Sequence, residues 1–237
     1  MPIDTSEAWV RWLVGASGLR LEPIYKEIAR FTAEYDAGRL DIDEFMDYQM
    51  RFLAQFRRPF LERCRQVFVG EWMSSILPAR SVELVKKHQD AGDVLVLCTA
   101  TYRFVSSPIG ELFGIHCNIA CDAAQDERGE FLGRTTDGNS YGPSKVTRAE
   151  AFLKTPAARG LTAGDVVFYS DSTVDMPLFE YVEAAGGTCV AANASPDLRQ
   201  IATARGWPMI TTFDPVDEKR AYMPAAGVQC YPEIFHV

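Results

Sequence analysis

Two aspartates four residues apart, Asp171 and Asp175, are the side chains whose type and spacing point most directly to chemistry. They lie in the run Asp165-Val166-Val167-Phe168-Tyr169-Ser170-Asp171-Ser172-Thr173-Val174-Asp175. Val166 to Tyr169 are β-branched and aromatic, the composition of a short buried strand. The chain then turns polar, and Met176 to Ala185 follow with helical character, Pro177 falling in a first turn that tolerates it. In an open α/β sheet, loops at the carboxyl ends of strands are where ligands bind. Carboxylates clustered there suit a hard cation such as Mg²⁺, held jointly with a phosphate. Either aspartate alone is equally a turn residue or a helix cap. The strand–loop–helix setting makes the pair informative.

Two more polar groups occupy similar positions. Thr99 and Thr101 follow the apolar run Val94 to Cys98, and Lys145 opens a helix in Gly142-Pro143-Ser144-Lys145. A hydroxyl, an ammonium group and a carboxylate pair that can hold a cation are what phosphoryl transfer asks for, because donors and positive charge must surround the equatorial oxygens. Singly, Thr99 is a satisfied strand-end hydroxyl and Lys145 a solvated lysine. Their order and placement together favour a site.

The elements that would position these groups fall into two kinds. Residues 4 to about 75 read as helices. Asp4, Thr5 and Ser6 offer capping oxygens ahead of Trp9, Trp12 and Leu13. Pro23 starts a second helix with Ile24, Ile28, Phe31 and Tyr35 on one face and Gly38 as its stop. Asp41 opens a third and Pro59 a fourth. Short loops between them predict an antiparallel bundle whose aromatic stripes form a core. After Pro78 strands and helices alternate: a helix over 81–90, a strand over 94–98, a helix over 104–113 and a strand over 115–120. A hairpin around Gly129 follows, then a helix over 144–153, the strand at 166–169, a strand over 188–192, a helix over 197–205 and a strand over 208–211. That alternation predicts a parallel sheet with helices on both faces. Beyond Asp214, Pro215, Pro224 and Pro232 interrupt any period, which predicts an irregular tail.

The chain has 237 residues, 47% hydrophobic and 24% charged, as in an ordinary soluble globular protein. A formal charge of −8 argues against wholesale nucleic-acid binding and offers no polybasic membrane surface. An acidic chain can still hold a phosphate through one lysine and backbone amides. No signal-peptide pattern and no membrane-length apolar run is present, which predicts a cytoplasmic protein. The six cysteines are scattered, and His116, Cys117 and Cys121 lack a second ligand pair at zinc spacing. They read as small buried hydrophobes.

The combined motifs resemble the phosphoserine-phosphatase-like branch, subfamily IB, of the haloacid dehalogenase (HAD) superfamily. Val94 through Val105, with Thr99-Ala100-Thr101-Tyr102-Arg103-Phe104-Val105 at its end, resembles that group's second motif and the segment after it. Lys145 in Ser144-Lys145-Val146-Thr147-Arg148 matches the lysine of the third motif, and Tyr169 through Leu178 the fourth. Asn193-Ala194-Ser195-Pro196-Asp197-Leu198-Arg199 and Gly206-Trp207-Pro208 follow the downstream pattern, so the likeness runs from about residue 2 to 214.

The resemblance implies a Rossmann-like parallel sheet core over 78–214 and a four-helix cap over 1–77, with 215–237 as the tail. It implies that Asp171 coordinates Mg²⁺, and that Asp175 supports the ion or orients Lys145. Lys145 would neutralise the phosphoryl group and Thr99 would hydrogen-bond a phosphoryl oxygen. Thr101 and Arg103 stand beside them as substrate-contact candidates, although Arg103 is equally a surface ion pair. The implied reaction is hydrolysis of a small phosphomonoester, such as phosphoserine or histidinol phosphate, through an aspartyl-phosphate. The protein would act as a monomer or homodimer.

One departure matters. The family's first strand ends in D-x-D-x-T, which supplies the nucleophile, and no such motif occurs in these residues. Met1-Pro2-Ile3-Asp4 aligns just after it. The expectation is therefore that the nucleophile and the first core strand lie upstream of Met1. The alternative is a non-catalytic protein on the same fold that binds a phosphorylated ligand or a partner. A receiver-domain reading fits the helical first third and the late Lys145 poorly.

Overall fold

The structure is a computed structural model that describes residues 3–214; the tail expected over 215–237 lies outside them. Helix α1 (Thr5–Ser17) is capped by Asp4, whose carboxylate accepts the Glu7 N–H at 2.8 Å, and ends at Gly18 with φ 69°. Helices α2 (Leu21–Asp36), α3 (Ile42–Leu53) and α4 (Arg58–Val67) follow, α3 capped by Asp41 and α4 carrying Pro59 in its first turn. A π-helical turn, Phe68–Met73, continues α4. The apolar faces of α1, α3, α4 and this turn meet at Trp9, Leu13, Met50, Leu53, Leu61 and Phe68, all fully buried.

The alternating region contains α5 (Ala79–Ala91), β1 (Val96–Cys98), α6 (Arg103–Leu112) and β2 (Cys117–Ile119). The hairpin β3 (Ala123–Gln125) and β4 (Phe131–Thr135) comes next, then α7 (Pro143–Leu153) and β5 (Val167–Ser170). The described chain closes with α8 (Met176–Ala184), β6 (Thr188–Ala192), α9 (Pro196–Arg205) and β7 (Met209–Ile210). As the alternation predicts, the core ladders are parallel. β1 pairs with β2, Val96 opposite Cys117, and β5, β6 and β7 form a second sheet with Phe168 opposite Cys189 and Ala191 opposite Met209. The hairpin is antiparallel.

Among the described residues β1 has a ladder partner only in β2, and β5 only in β6. The two sheets nevertheless belong together. Cys98 of β1 packs on the apolar cluster that contains Phe168 of β5, and His88 Nε2 of α5 lies 2.8 Å from the Tyr169 hydroxyl. The inner edges of β1 and β5 thus carry main-chain groups without a strand beside them. Both strands are only half-buried for that reason, whereas their apolar composition predicts full burial.

The larger apolar cluster crosses position 77/78, joining α1, α3 and α4 to Tyr102, Phe104, Val105, Phe131 and Cys121. Helix α3 also packs along β4, where Gly133, at φ 71°, faces Ala54 and Arg51. Close packing recurs between α8 and β6. A Cβ on Gly187 would lie 2.6 Å from both the Ala163 carbonyl oxygen and Val182 Cγ1, and 2.8 Å from the Val166 oxygen. Gly187→Ala is therefore expected to destabilise the protein by about 1–3 kcal/mol, because backbone rather than a flexible side chain must yield. A fall in Tm with unchanged far-UV circular dichroism is the expected result. No helix of the described residues is long and apolar enough to cross a membrane.

Candidate active site

The loop after β5 is shaped by its own hydroxyls. Ser172 Oγ accepts the Val174 N–H at 3.2 Å, and the Ser172 carbonyl accepts the Asp175 N–H, closing a single 3-10 turn over Thr173–Asp175 before α8 begins. That turn points Asp175 inward. The Asp175 carboxylate accepts from Lys145 Nζ on Oδ1 and from the Ser170 hydroxyl on Oδ2, both at 2.6 Å. Lys145 arrives from the first turn of α7, which starts after Gly142 at φ 50° and has Pro143 as its first residue. Lys145 and Asp175 are each 7% exposed, so the lysine is not a solvated surface side chain. It forms a buried ion pair, a geometry that holds only when each charge keeps its partner.

Asp171 differs from Asp175. Its main-chain carbonyl accepts the Ser195 N–H at 2.8 Å, while its carboxyl group is open to solvent at the mouth of the site. The surrounding protein desolvates that carboxyl and raises it above the usual carboxylate range; the nearby charge of Asp175 adds to the rise and that of Lys145 opposes it. An exposed carboxylate just after a parallel strand is available to a cation. Among the described residues no group of three or more His, Cys, Asp or Glu side chains could hold a metal ion. Mg²⁺ would need no all-protein cage, since it is commonly held through one or two carboxylates together with water and a phosphate.

Thr99 follows β1 and remains in register with it, its N–H donated to the Ile119 carbonyl at 3.0 Å. Its Oγ1 accepts the Thr101 N–H at 3.1 Å, which leaves the hydroxyl proton for another acceptor. The preceding Cys98 packs on the same apolar cluster as Val146, the residue after Lys145. Burial pushes the Cys98 thiol up to about 11.

The other two candidates are drawn into the scaffold. Thr101 is buried, and its Oγ1 lies 2.9 Å from Ser6 Oγ and 3.2 Å from Thr5 Oγ1, tying α1 to the strand end. Arg103 spreads its guanidinium over the segment after β2, donating to Asp122 Oδ1 at 2.8 Å, the Asn118 carbonyl at 2.6 Å and the Ala120 carbonyl at 3.2 Å. With three acceptors in place, Arg103 straps β2 to α6. Lys145, Asp171 and Asp175 come together with Thr99 nearby; Thr101 and Arg103 brace the walls.

Several residues around the site carry little sequence signal. Ser170 is a small hydroxyl between a strand and an aspartate. Arg148, one turn after Lys145, donates to Asp137 Oδ2 at 2.7 Å and to the Asn139 carbonyl at 2.9 Å, which shapes the loop before α7. Burial raises the phenol of Tyr141 in that loop, and the neighbouring Tyr35 and Asp175 add to the effect. Cys64, Cys98, Cys117, Cys121 and Cys189 are free thiols, and Cys230 lies outside the described residues.

Known proteins resemble this chain in sequence or in fold. The haloacid dehalogenase-like hydrolase family matches residues 1–180. A histidinol-phosphatase of Neisseria meningitidis serogroup C is 29% identical over 210 residues, 87% of this chain and 91% of that protein. A phosphoserine phosphatase of Mycobacterium tuberculosis is 33% identical over 125 residues, 53% of this chain and 38% of its own length. Among solved structures, a protein of unknown function from Bordetella pertussis superposes with a TM-score of 0.80 at 32% identity, covering 90% of this chain and 94% of that one. A phosphoserine phosphatase with an analogue of a phospho-aspartyl intermediate shares the fold, at a TM-score of 0.59, 17% identity and coverage of 93% and 91%. From its motifs, its parallel core and these likenesses, the chain belongs to the haloacid dehalogenase-like hydrolases.

Proposed function

We propose that this protein is a Mg²⁺-dependent phosphatase acting on a small phosphomonoester of the phosphoserine or histidinol-phosphate kind. The observation that carries the reading is the buried Lys145–Asp175 pair beside the open carboxyl of Asp171, at the carboxyl ends of parallel strands. Nearly full-length similarity to a histidinol-phosphatase supports the substrate class. Residues 1–77 act as a cap over the core formed by 78–214.

In this reading Asp171 holds Mg²⁺, which when bound offsets the repulsion between an anionic substrate and an anionic nucleophile. Asp175 keeps Lys145 oriented toward the phosphoryl oxygens, and the Thr99 hydroxyl donates to one of them. In this reading the nucleophile is an aspartate on a further strand lying between β1 and β5. Its carboxylate attacks phosphorus, the ester oxygen leaves as the alcohol after protonation, and water then hydrolyses the aspartyl-phosphate to release inorganic phosphate. The unpaired inner edges of β1 and β5 support that placement. The enzyme would work in the cytoplasm as a monomer or homodimer, with no nucleic-acid or membrane partner.

Turnover of p-nitrophenyl phosphate tests the proposal, on the 237-residue chain and on a form extended upstream to a strand ending in D-x-D-x-T. The extended form is expected to turn over with Mg²⁺ and to stop with a chelator. Asp171→Asn in that form is expected to cost about 100-fold or more in kcat. An extended form inert under all conditions would instead favour a non-catalytic phosphate-binding protein on this fold.

A further inference from the structure

Tyr35 stands in the last turn of α2, 43% exposed and outside the larger apolar cluster. An exposed tyrosine gains little from burial, so what its position offers is the hydroxyl. That hydroxyl lies 3.1 Å from Ser172 Oγ, 137 positions along the chain and between the two aspartates of the site. Ser172 is bonded on into the loop: its Oγ accepts the Val174 N–H, and its own N–H is donated to Ser170 Oγ at 3.3 Å. The Ser170 hydroxyl in turn donates to Asp175, which holds Lys145. The bonds from Tyr35 through Ser172, Ser170 and Asp175 to Lys145 are continuous.

A second tie stands across the site. Asn139 Nδ2, in the loop before α7, donates to Asp43 Oδ1 in the first turn of α3 at 2.9 Å. The α2–α3 turn is thereby fastened at both rims, over the loop carrying Asp171 and Asp175 and over the loop that delivers Lys145.

We infer that Tyr35 is a positioning residue: the docking of its hydroxyl on Ser172 sets the conformation of the 170–175 loop. The helical region and the candidate site are coupled through that hydroxyl pair. The effect on turnover depends on the phosphatase reading; the effect on the loop does not.

Tyr35→Phe keeps the ring and removes the hydroxyl, and Ser172→Ala removes the partner. Amide hydrogen exchange of the full chain is read at Val174 and Asp175, with α9 as the internal reference. Each variant is expected to speed exchange at those two amides by about threefold to tenfold and to leave α9 unchanged. The double variant is expected to exchange no faster than Ser172→Ala alone, because Ser172→Ala already removes the partner of the Tyr35 hydroxyl along with the acceptor of the Val174 N–H. In a form that turns over p-nitrophenyl phosphate, Tyr35→Phe is expected to lower kcat by about the same factor with KM within about twofold, since Lys145 and Asp171 act on the transition state. Unchanged exchange at Val174 and Asp175, or additive effects in the double variant, overturns the inference even where turnover is normal. If no form turns over, the phosphatase reading fails and exchange alone decides the role of Tyr35.

Discussion

Lys145→Ala is expected to abolish phosphatase turnover and, independently, to destabilise the fold by about 3–5 kcal/mol. The second effect follows from burial. Removing the ammonium group leaves Asp175 with the Ser170 hydroxyl on one oxygen and no counter-charge for the other, 7% exposed. At 7% exposure little water can compensate the Asp175 carboxylate, so most of its desolvation cost falls on the folded state. The reverse single change, Asp175→Leu, strands the lysine in the same way. Replacing both, Lys145→Met with Asp175→Leu, removes the unpaired charge and is expected to restore most of the stability while leaving turnover absent. Urea denaturation of the two singles and the double, with p-nitrophenyl phosphate assays of the same changes in the upstream-extended form, separates the roles. Equal stability of Lys145→Ala and the parent would show that the pair is not buried as described.

The largest purely structural effect is expected at Trp9. Its ring is fully buried, edge-on to Phe68 at 5.3 Å and to Phe104 at 6.1 Å between centroids. It thus joins α1, the π-helical turn and α6 in one contact. Trp9→Ala is expected to cost about 3–5 kcal/mol, from lost transfer energy and from a cavity the surrounding rings cannot close. Because the cluster runs from the helical region into α6 and the hairpin, the two regions should unfold together. Far-UV circular dichroism and tryptophan fluorescence are expected to report one coincident urea transition, shifted to lower urea in the variant. Two separated transitions would refute the shared core.

Local punctuation made much of this legible in the chain itself. Asp41 caps α3 as read, Pro143 opens α7, and the strand over 188–192 occurs with those bounds. The strand–loop–helix around Asp171 could be read because strand composition, a polar break and a helix start agree within a few residues. What could not be read depends on contacts far apart in sequence. Nothing near Arg103 shows that its guanidinium turns onto the Asn118 and Ala120 carbonyls, and nothing near Thr101 shows that Ser6 meets it. The packing of α3 along β4 is set by Gly133, an isolated glycine whose neighbours in space are about 80 positions earlier. The pairing of Lys145 with Asp175 was expected as one of two roles for that aspartate. Its depth of burial was not visible, since burial depends on everything packed around the pair.

The thiol of Cys98 carries a consequence for the chemistry beside it. It is the sulfur next to Thr99, the hydroxyl proposed to meet a phosphoryl oxygen, and could pass for a nucleophile on position alone. With its pKa pushed up to about 11, only about one molecule in ten thousand bears the thiolate at pH 7. Thiolate, and not thiol, attacks phosphorus, peroxide and alkylating reagents alike. Burial therefore disfavours the reactive thiolate at Cys98.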